Sequence, residues 1–315
     1  MKMKIIHFYP NSNGISFLRG FRKHLTETYD SNYKYINKSE DLYKELNIRE
    51  NHTDIVVFTA HGDRNYIIGD KIKGQETRLT IDSLEFLRNS FVFAFSCSTG
   101  DLGKELCRKH NTISYLGFND IIDLVVDTRE KSFNEEFSKI LKQIYNEALK
   151  KSFDEFLQNN YSVDQFAKLI SLNLKRAYVT ILSMNCEELC KRYNVNLGRA
   201  SNFKFIKKLH SDLLTTIDSV RSRIIVHGEG KFIPWSFIGD DVIKLRLIEK
   251  KLENTEYAPE NEYYRFFLLT LINYKLGNQS KAVKYFQEAS RLFPEYEPLR
   301  NFSFSHEEIE RDNVS

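Results

Sequence analysis

Residues 91–100 read Phe-Val-Phe-Ala-Phe-Ser-Cys-Ser-Thr-Gly, an apolar run that ends in small polar residues. Residues 54–63 have the same design, because Asp-Ile-Val-Val-Phe-Thr-Ala is followed by His-Gly-Asp. Short, nearly continuous apolar runs are typical of strands that are buried on both faces, which occur inside parallel sheets covered by helices. The two stretches therefore predict an α/β fold with a mainly parallel sheet.

The first 120 residues alternate between β-rich runs and amphipathic helical stretches, which is the pattern of parallel βαβ units. The predicted strands are Lys4–Tyr9, Tyr33–Asn37, Asp54–Ala60, Phe91–Ser96 and Thr112–Phe118. The predicted helices are Ile15–Thr26, Ser39–Leu46, Ile81–Arg88 and Asp101–Lys109. Because crossovers between parallel strands are right-handed, these elements predict a three-layer sandwich.

The C-terminal half is mainly helical by the spacing of its apolar residues. Residues 128–193 and the residues after Asp241 carry apolar side chains three and four positions apart, with a polar break near Asn254–Asn261. Between these regions, Arg223–Val226 and Lys231–Phe237 are β-like, and His227-Gly228 is expected in the hairpin turn that joins them. The sequence thus predicts an α/β domain at residues 1–241 and a helical region with a tail at residues 242–315.

One segment of the helical region has the spacing of a tetratricopeptide-like repeat. In Asn261–Pro294, small residues at Gly277, Ala282 and Ala289 let two helices approach closely, and Pro294 ends the second helix. A single repeat cannot bury its own apolar face. We therefore expect it to contact the rest of the chain, a second copy of the chain, or a regulatory protein partner.

Composition and charge argue against several classes of protein. A net charge of +3 spread along 315 residues gives no electrostatic case for a nucleic-acid partner. No apolar run approaches the roughly 18 residues that span a bilayer, and Met1–Tyr9 is expected to be a strand and not a leader. Four cysteines in a chain of this length do not indicate a disulfide framework. The sequence thus predicts a cytoplasmic, soluble protein with reduced thiols and no membrane partner.

A polar turn follows each of the two most apolar strands, with His61-Gly62 after the first and Cys97 after the second. In an open parallel sheet, ligands and catalytic groups lie beyond the carboxyl ends of the strands, so neighbouring strands would bring His61 and Cys97 together. A nearby imidazole, or a helix that begins near Gly100, would favour the nucleophilic thiolate. The N–H groups of Gly62 and Cys97 are then candidates for an oxyanion hole.

His61-Gly62 and Ser96-Cys97-Ser98-Thr99-Gly100, each at the end of an apolar strand, resemble the motifs of caspase-like cysteine peptidases. The likeness is to the CHAT branch, whose members are often joined to tetratricopeptide repeats. That branch has Ser-Ala-Cys-x-Thr-Gly at the second strand, whereas this chain replaces the alanine. Further similarities follow in the family's order over residues 1–241: a polar turn at Gly117–Asp120, a helix that opens at Ser162-Val163, and a domain-closing strand at Trp235–Asp240.

The resemblance implies a cysteine endopeptidase that cleaves protein substrates through an acyl-enzyme, without a metal or organic cofactor. It makes His61 the base, Cys97 the nucleophile, and Gly62 and Cys97 the oxyanion hole. It also implies a substrate cleft, which we expect Asp101, Asn119 and Asp120 to line.

Relatives that cleave after basic residues often carry an acidic residue two positions before the cysteine, where this chain has Phe95. A basic specificity is therefore without support in the sequence. Many bacterial relatives are proteases that a partner activates on infection or stress. By resemblance, this chain is expected to be regulated in the same way within an antiviral defence or cell-death system.

Other interpretations of these residues stay open. The α/β domain could be a non-catalytic scaffold whose tetratricopeptide-like region binds a protein partner, which would make the chain an adaptor. A flavodoxin-like nucleotide binder would need a glycine-rich phosphate loop after the first strand, and Pro10–Gly14 has no such pattern. Cys186 and Cys190 could share a helix face, but no further His or Cys has the spacing of a zinc site.

Overall fold

The computed structural model describes residues 5–10, 12, 14–47, 55–124, 134–195, 202–300 and 302. Lys4, Asp54, residues 128–133 and the tail after residue 302, which the sequence predictions include, lie outside the described residues. The described chain forms two compact units, of which the first ends at Ile233 and the second begins at Pro234. The boundary expected after Asp241 therefore lies inside the second unit.

The larger of the two sheets is mainly parallel, and helices lie between most of its strands along the chain. The strands are β1 (Ile5–Phe8), β2 (Tyr33–Ile36), β3 (Ile55–Thr59), β4 (Gly62–Asp63), β5 (Tyr66–Ile72), β6 (Gln75–Thr80), β7 (Phe91–Phe95), β8 (Ser114–Phe118) and β9 (Ile224–Gly228). In the described chain six of them form one sheet in the order β2-β1-β3-β7-β8-β9. All neighbours in this sheet are parallel except β9, which runs antiparallel to β8. The predicted α/β fold with a mainly parallel sheet is confirmed.

Helices cover both faces of this sheet and build the second unit. The α-helices are α1 (Arg19–Tyr29), α2 (Ser39–Asn47), α3 (Gly100–His110), α4 (Asn134–Gln158), α5 (Val163–Leu182), α6 (Cys186–Tyr193), α7 (Asn202–Ser222), α8 (Val242–Glu253), α9 (Glu262–Lys275), α10 (Gln279–Leu292) and α11 (Glu297–Arg300). Among the described residues, no helix combines the length and the apolarity that crossing a membrane needs.

The two central strands are buried on both faces, as their composition predicted. Because successive side chains of a strand point to opposite faces, Val56 and Val92 lie in one apolar cluster with Leu106 of α3. On the other face, the ring of Phe93 packs edge-on against Phe166 of α5, with 5.1 Å between ring centroids. Helices on both faces give the predicted three-layer arrangement.

Several sequence predictions about the first unit were wrong. The expected helix Ile81–Arg88 is a 3-10 helix at Asp82–Leu87. A second, antiparallel sheet in the order β4-β5-β6 was not expected, and it begins directly after His61. The remaining strand predictions for the first 120 residues agree with β1, β2, β3, β7 and β8 to within one or two residues at each end, over the residues described.

The region around His227 also differs from the prediction. His227 lies within β9 opposite Tyr115 of β8, so it is a strand residue and not part of a hairpin turn. Lys231–Phe237 forms no strand, because it contains the 3-10 helix Trp235–Phe237. Trp235 instead belongs to the second unit, where its ring packs edge-on against Phe267 at 5.7 Å between centroids. The strand that closes the sheet is therefore β9 and not Trp235–Asp240.

The second unit contains the expected helix pair. Its helices α9 and α10 are joined by the short turn Leu276–Asn278, and Gly277 has a φ of +73° that suits glycine. Ala282 and Ala289 of α10 are fully buried, which agrees with their predicted role as small residues at a close helix contact. Helix α8 precedes this pair, and Asp241 caps its N-terminus by accepting hydrogen bonds from the N–H groups of Ile243 and Lys244.

Candidate active site

The sheet brings the His61 and Cys97 segments to the same edge. Strands β3 and β7 are parallel neighbours, and the last pair in their register is Thr59 opposite Phe95. His61 and Cys97 each follow two positions after that pair, so the two residues leave the sheet at equal height. The sequence predicted this juxtaposition from the apolar runs and the polar turns that follow them.

The two turns are in direct contact at Gly62. A Cβ atom added at Gly62 would lie 2.3 Å from Ser96 Oγ, 2.5 Å from Thr99 Cγ2 and 2.9 Å from the carbonyl oxygen of Cys97. All three distances are below ordinary van der Waals separation. Glycine is therefore required here because the backbone after His61 touches the turn that carries Cys97.

The turn that carries Cys97 is held in a sparsely populated conformation. Ser98 has a φ of +55°, which is unusual for a residue other than glycine. Its N–H group donates a hydrogen bond to the carbonyl oxygen of Asp120 at 3.0 Å, and Thr99 Oγ1 donates one to the carbonyl oxygen of Ser96 at 3.2 Å. Strained backbone of this kind is frequent at functional sites, where the surroundings fix a side chain in place.

The Cys97 thiol is partly buried and has a backbone partner. The N–H group of Ile122 donates a hydrogen bond to Cys97 Sγ, with 3.3 Å between nitrogen and sulfur. Burial raises the pKa of this thiol, because it disfavours the charged thiolate. The Ile122 hydrogen bond lowers the pKa, and the carboxylates of Asp123 and Asp120 raise it. The net effect is a raised pKa, whereas the sequence reasoning expected the surroundings to favour the thiolate.

The imidazole of His61 is half-buried between backbone segments. A Cβ atom at Gly14, whose φ is +91°, would lie 3.0 Å from His61 Cε1 and 3.1 Å from His61 Nε2. The loop before the 3-10 helix Ser16–Leu18 thus contacts the ring directly. The carbonyl oxygen of His61 accepts a hydrogen bond from the N–H group of Ile68 on β5 at 2.8 Å. The antiparallel β4-β5-β6 sheet therefore anchors the backbone of His61.

His61 and Cys97 line one narrow pocket. Its other lining residues are mainly apolar and come from the first loop, from the ends of β3 and β7, and from the segment after β8. The free volume of this pocket is about 10 Å³, which is close to the space that one water molecule needs. An imidazole and a thiol that border a common space can act on one bound group.

The strand register gives the direction of one predicted oxyanion donor, the N–H group of Gly62. Gly62 and Ile67 face each other in the antiparallel pair of β4 and β5. Because the adjacent pair His61 and Ile68 carries the ladder hydrogen bond, Gly62 and Ile67 form a non-hydrogen-bonded pair. The N–H group of Gly62 therefore points away from β5, on the side of its strand opposite the ladder.

The residues predicted to line a substrate cleft are placed unequally. Asp120 lies close to Cys97 and contributes to raising its pKa. Asn119 is exposed, and its N–H group donates a hydrogen bond to the carbonyl oxygen of Arg223 at 3.0 Å. Asp101 is exposed on the first turn of α3 and acts on the pKa of His227, which burial and Lys104 lower and Asp101 raises. None of Asp101, Asn119 and Asp120 is among the lining residues of the pocket that His61 and Cys97 share.

Arg223 is a site residue that the sequence reasoning missed. Its guanidinium binds the carbonyl oxygen of Ile121 and lies 2.9 Å from Asp123 Oδ2 and 3.8 Å from Asp120 Oδ2. It thereby ties the segment after β8 to the start of β9 and lowers the pKa of Cys97. Arg223 and Asp123 are 100 residues apart in the sequence, so no local motif predicts their contact.

Neither the protein-family models nor the curated protein sequences contain a match to this chain. The class of protein that the fold and the site define is an α/β protein with a histidine and a cysteine at the carboxyl ends of adjacent parallel strands. In the described chain, no group of three or more His, Cys, Asp or Glu side chains is arranged to hold a metal ion.

Proposed function

We propose that the chain is a caspase-like cysteine endopeptidase in which His61 is the general base and Cys97 is the nucleophile. The observation that carries this proposal is that both residues follow adjacent strands at equal height and line one pocket. The motifs His61-Gly62 and Ser96-Cys97-Ser98-Thr99-Gly100 support the family assignment by resemblance. A Cys/His pair of this kind is a recurring device for acyl transfer on unrelated folds.

In this reaction His61 removes the thiol proton as Cys97 Sγ attacks the carbonyl carbon of the scissile peptide bond. The negative charge that develops on the carbonyl oxygen is stabilised by the N–H groups of Gly62 and Cys97. Protonated His61 then gives its proton to the leaving amine, and a thioester acyl-enzyme forms. Water, deprotonated by His61, hydrolyses the thioester and regenerates the thiol, so no metal or organic cofactor is needed.

Because the pKa of Cys97 is raised, the proposed reaction requires His61 as a base. At neutral pH the thiol is mostly protonated, so a base must remove its proton when substrate is bound. A raised pKa also keeps the empty site unreactive toward other electrophiles. This fits a peptidase that a regulatory partner or a second copy activates, with the helical second unit as the surface for that contact and a role in bacterial antiviral defence or cell death.

The test compares peptidase activity in the wild type with Cys97→Ala and His61→Ala. Each variant should lose at least about 10³-fold in rate, as expected when a member of a catalytic pair is removed. Cys107→Ala is the matched control, because this thiol lies on α3 and packs against the apolar core, where burial raises its pKa to about 12. Activity that persists in Cys97→Ala would sink the assignment.

A second candidate function is a protein-binding adaptor, and one observation favours it. Helix α8 exposes apolar side chains, with Ile243 74% and Leu247 65% exposed. Apolar side chains clustered on one exposed face are common at protein-binding surfaces. An adaptor does not need a reactive cysteine, so Cys97 would then show no selective labelling by peptide-based electrophiles.

A further inference from the structure

The pocket beside Cys97 has a chemical character that narrows the substrate class. Seven apolar residues line it together with His61, Ser96 and Cys97, namely Ile15, Phe17, Leu18, Ala60, Phe95, Ile122 and Leu124. Among the described residues, no Lys, Arg, Asp or Glu contributes to this lining. In acyl transfer the side chain that precedes the scissile bond is only two bonds from the attacked carbon. It must therefore enter the space next to the nucleophile.

Relatives that cleave after basic residues often carry an acidic residue two positions before the cysteine. Phe95 has this position here and cannot pair with a charged side chain. Phe95 is buried, and its ring packs edge-on against Phe118 at 5.4 Å and Tyr145 at 5.8 Å between centroids. Phe17 approaches the same ring at 6.5 Å. Phe95 is thus part of an aromatic cluster that forms one wall of the pocket.

The charged groups nearest to Cys97 are occupied by one another. Asp123 accepts a hydrogen bond from Arg223 at 2.9 Å, and Asp120 lies 3.8 Å from the same guanidinium. Asp120 also accepts a hydrogen bond from the N–H group of Ile121 at 2.8 Å. A charged substrate side chain in the pocket would lose its hydration and gain no opposite charge in return.

One polar atom in the pocket wall has no partner in the described chain. Ser96 is 1% exposed, and its Oγ is buried without a hydrogen-bond partner among the described residues. Buried hydroxyl groups are normally satisfied, so an unpartnered hydroxyl beside the nucleophile is suited to a polar group of a bound ligand.

We propose that this pocket binds the side chain of the residue before the scissile bond and selects small, uncharged, apolar side chains, with Ala preferred over Val. The inference rests on the proposed peptidase function and adds its substrate class. The size limit follows from the free volume of about 10 Å³, which is room for about one methyl group. Val therefore requires a small shift of Ile122 or Leu124, and an aromatic ring requires a large one. The charge limit follows from the absence of a charged residue in the described lining.

The experiment measures the rate at which Cys97 is alkylated by tripeptide chloromethyl ketones that differ only in the residue next to the ketone. That residue is Ala, Val, Phe, Arg, Lys, Asp or Glu, and chloroacetamide serves as the reference electrophile. In each case the Sγ–carbon bond forms as chloride leaves, and mass spectrometry locates the adduct. We expect the Ala and Val probes to react at least about 100-fold faster than the charged probes, and faster than the Phe probe.

A matched pair of variants tests the pocket itself. Leu124 lines the pocket, whereas Ile121 lies on the same segment, is 58% exposed and does not line it. Leu124→Asp places a carboxylate in the pocket and should narrow the rate ratio between the Val and Lys probes by at least about tenfold. Ile121→Asp adds the same charge outside the pocket and should leave that ratio within about threefold of the wild type. Ratios between probes cancel any change in the pKa of Cys97.

The outcomes separate the two proposals. If a charged probe or the Phe probe reacts fastest with the wild type, the substrate class is wrong and the peptidase function stands. If Leu124→Asp and Ile121→Asp change the ratio equally, this pocket does not bind the side chain in question. If no peptide probe alkylates Cys97 faster than chloroacetamide, the peptidase function fails and the inferred substrate class with it. The wild-type series decides these points even if a variant does not fold.

Discussion

Gly62→Ala tests whether the His61 and Cys97 turns touch as tightly as the structure indicates. The new methyl group would lie 2.3 Å from Ser96 Oγ, 2.5 Å from Thr99 Cγ2 and 2.9 Å from the carbonyl oxygen of Cys97. Carbon atoms in contact are normally about 3.5–4.0 Å apart, so the neighbours must retreat by on the order of 1 Å. Ser96 can rotate its hydroxyl group, but the Cys97 carbonyl is backbone and moves only with its turn.

The expected effect on stability follows from that crowding. Overpacking a well-packed core costs about 1–3 kcal/mol. Ser96 is 1% exposed and Thr99 is fully buried, so neither can swing into solvent to relieve the contact. We therefore expect a loss of about 2–3 kcal/mol in the free energy of unfolding, toward the upper end of that range. Because a misplacement of about 1 Å can cost about 10²-fold in rate, peptidase activity should fall by a similar factor.

The assay is urea denaturation followed by circular dichroism, together with alkylation of Cys97 by a peptide chloromethyl ketone. Gly239→Ala is the matched control, because a methyl group there meets no atom within 4 Å and its φ lies outside the left-handed region. The control should be unchanged or more stable by up to about 1 kcal/mol. If Gly62→Ala is as stable as Gly239→Ala and alkylates at the wild-type rate, the two turns do not meet as described.

Two further predictions concern charges. His7 is buried, with its ring nitrogens 2.8 Å from Tyr33 Oη and 2.7 Å from Thr59 Oγ1, and burial lowers its pKa to about 3. The unfolded chain binds the extra proton below about pH 6.5, whereas His7 in the folded chain stays neutral down to about pH 3. The contribution of His7 to the free energy of unfolding is therefore fully present above pH 6.5 and is lost as the pH falls toward 3, with about 2 kcal/mol lost by pH 5. Hydrogen exchange of β1 at pH 7 and pH 5 should show this loss in the wild type, and His7→Gln should abolish it; an unchanged pH dependence in the variant would count against the assignment. Arg223→Ala removes a cation that lowers the pKa of Cys97, so the pH midpoint of iodoacetamide labelling at Cys97 should rise. A midpoint that stays or falls would mean that Arg223 does not act on the thiol.

The central strands and the positions of His61 and Cys97 were predictable from one sequence pattern, an apolar run that ends in polar residues. Strands buried on both faces must be apolar along their whole length, so β3 and β7 stand out from the sequence. In such a sheet, polar side chains are expected beyond the carboxyl ends of the buried strands. The turns that follow β3 and β7 therefore marked the candidate site. The helices that cover the sheet do not enter this prediction.

The β5–β6 hairpin was missed because its turn residues, Lys73-Gly74, are not the Asn-Gly or Asp-Gly pair that marks such turns in a sequence. Lys73 and Gly74 have φ angles of +51° and +84°, as a two-residue hairpin turn of the primed type requires. The second strand, Gln75–Thr80, is mostly exposed, so it lacks the apolar alternation by which strands are usually found. Neither the turn residues nor the alternation of apolar residues therefore marked this hairpin in the sequence.

The surroundings of His61 and Cys97 could not be predicted because distant segments build them. Gly14, Ile122 and Arg223 come from three parts of the chain, and each contacts His61, Cys97 or the segment beside them. The contact of Ile122 is made by a backbone N–H group, which every residue except proline carries, so no side-chain motif marks it. The residue types at His61 and Cys97 identified the candidate site in the sequence. The residues that surround this pair are known only from the fold.

The surroundings of Cys97 also decide how such a site would be kept inactive. In the empty site the thiol accepts a hydrogen bond from Ile122, and burial with two nearby carboxylates holds its pKa above the ordinary value. In the proposed reaction, a substrate side chain that fills the apolar pocket lies against Ile122, whose N–H group is the hydrogen-bond partner of Sγ. Filling the pocket in this way would also exclude water around His61, which strengthens every electrostatic interaction in the site. In the proposed peptidase, substrate binding and activation of the nucleophile are therefore coupled through the segment that carries Ile122, which Arg223 ties to β9.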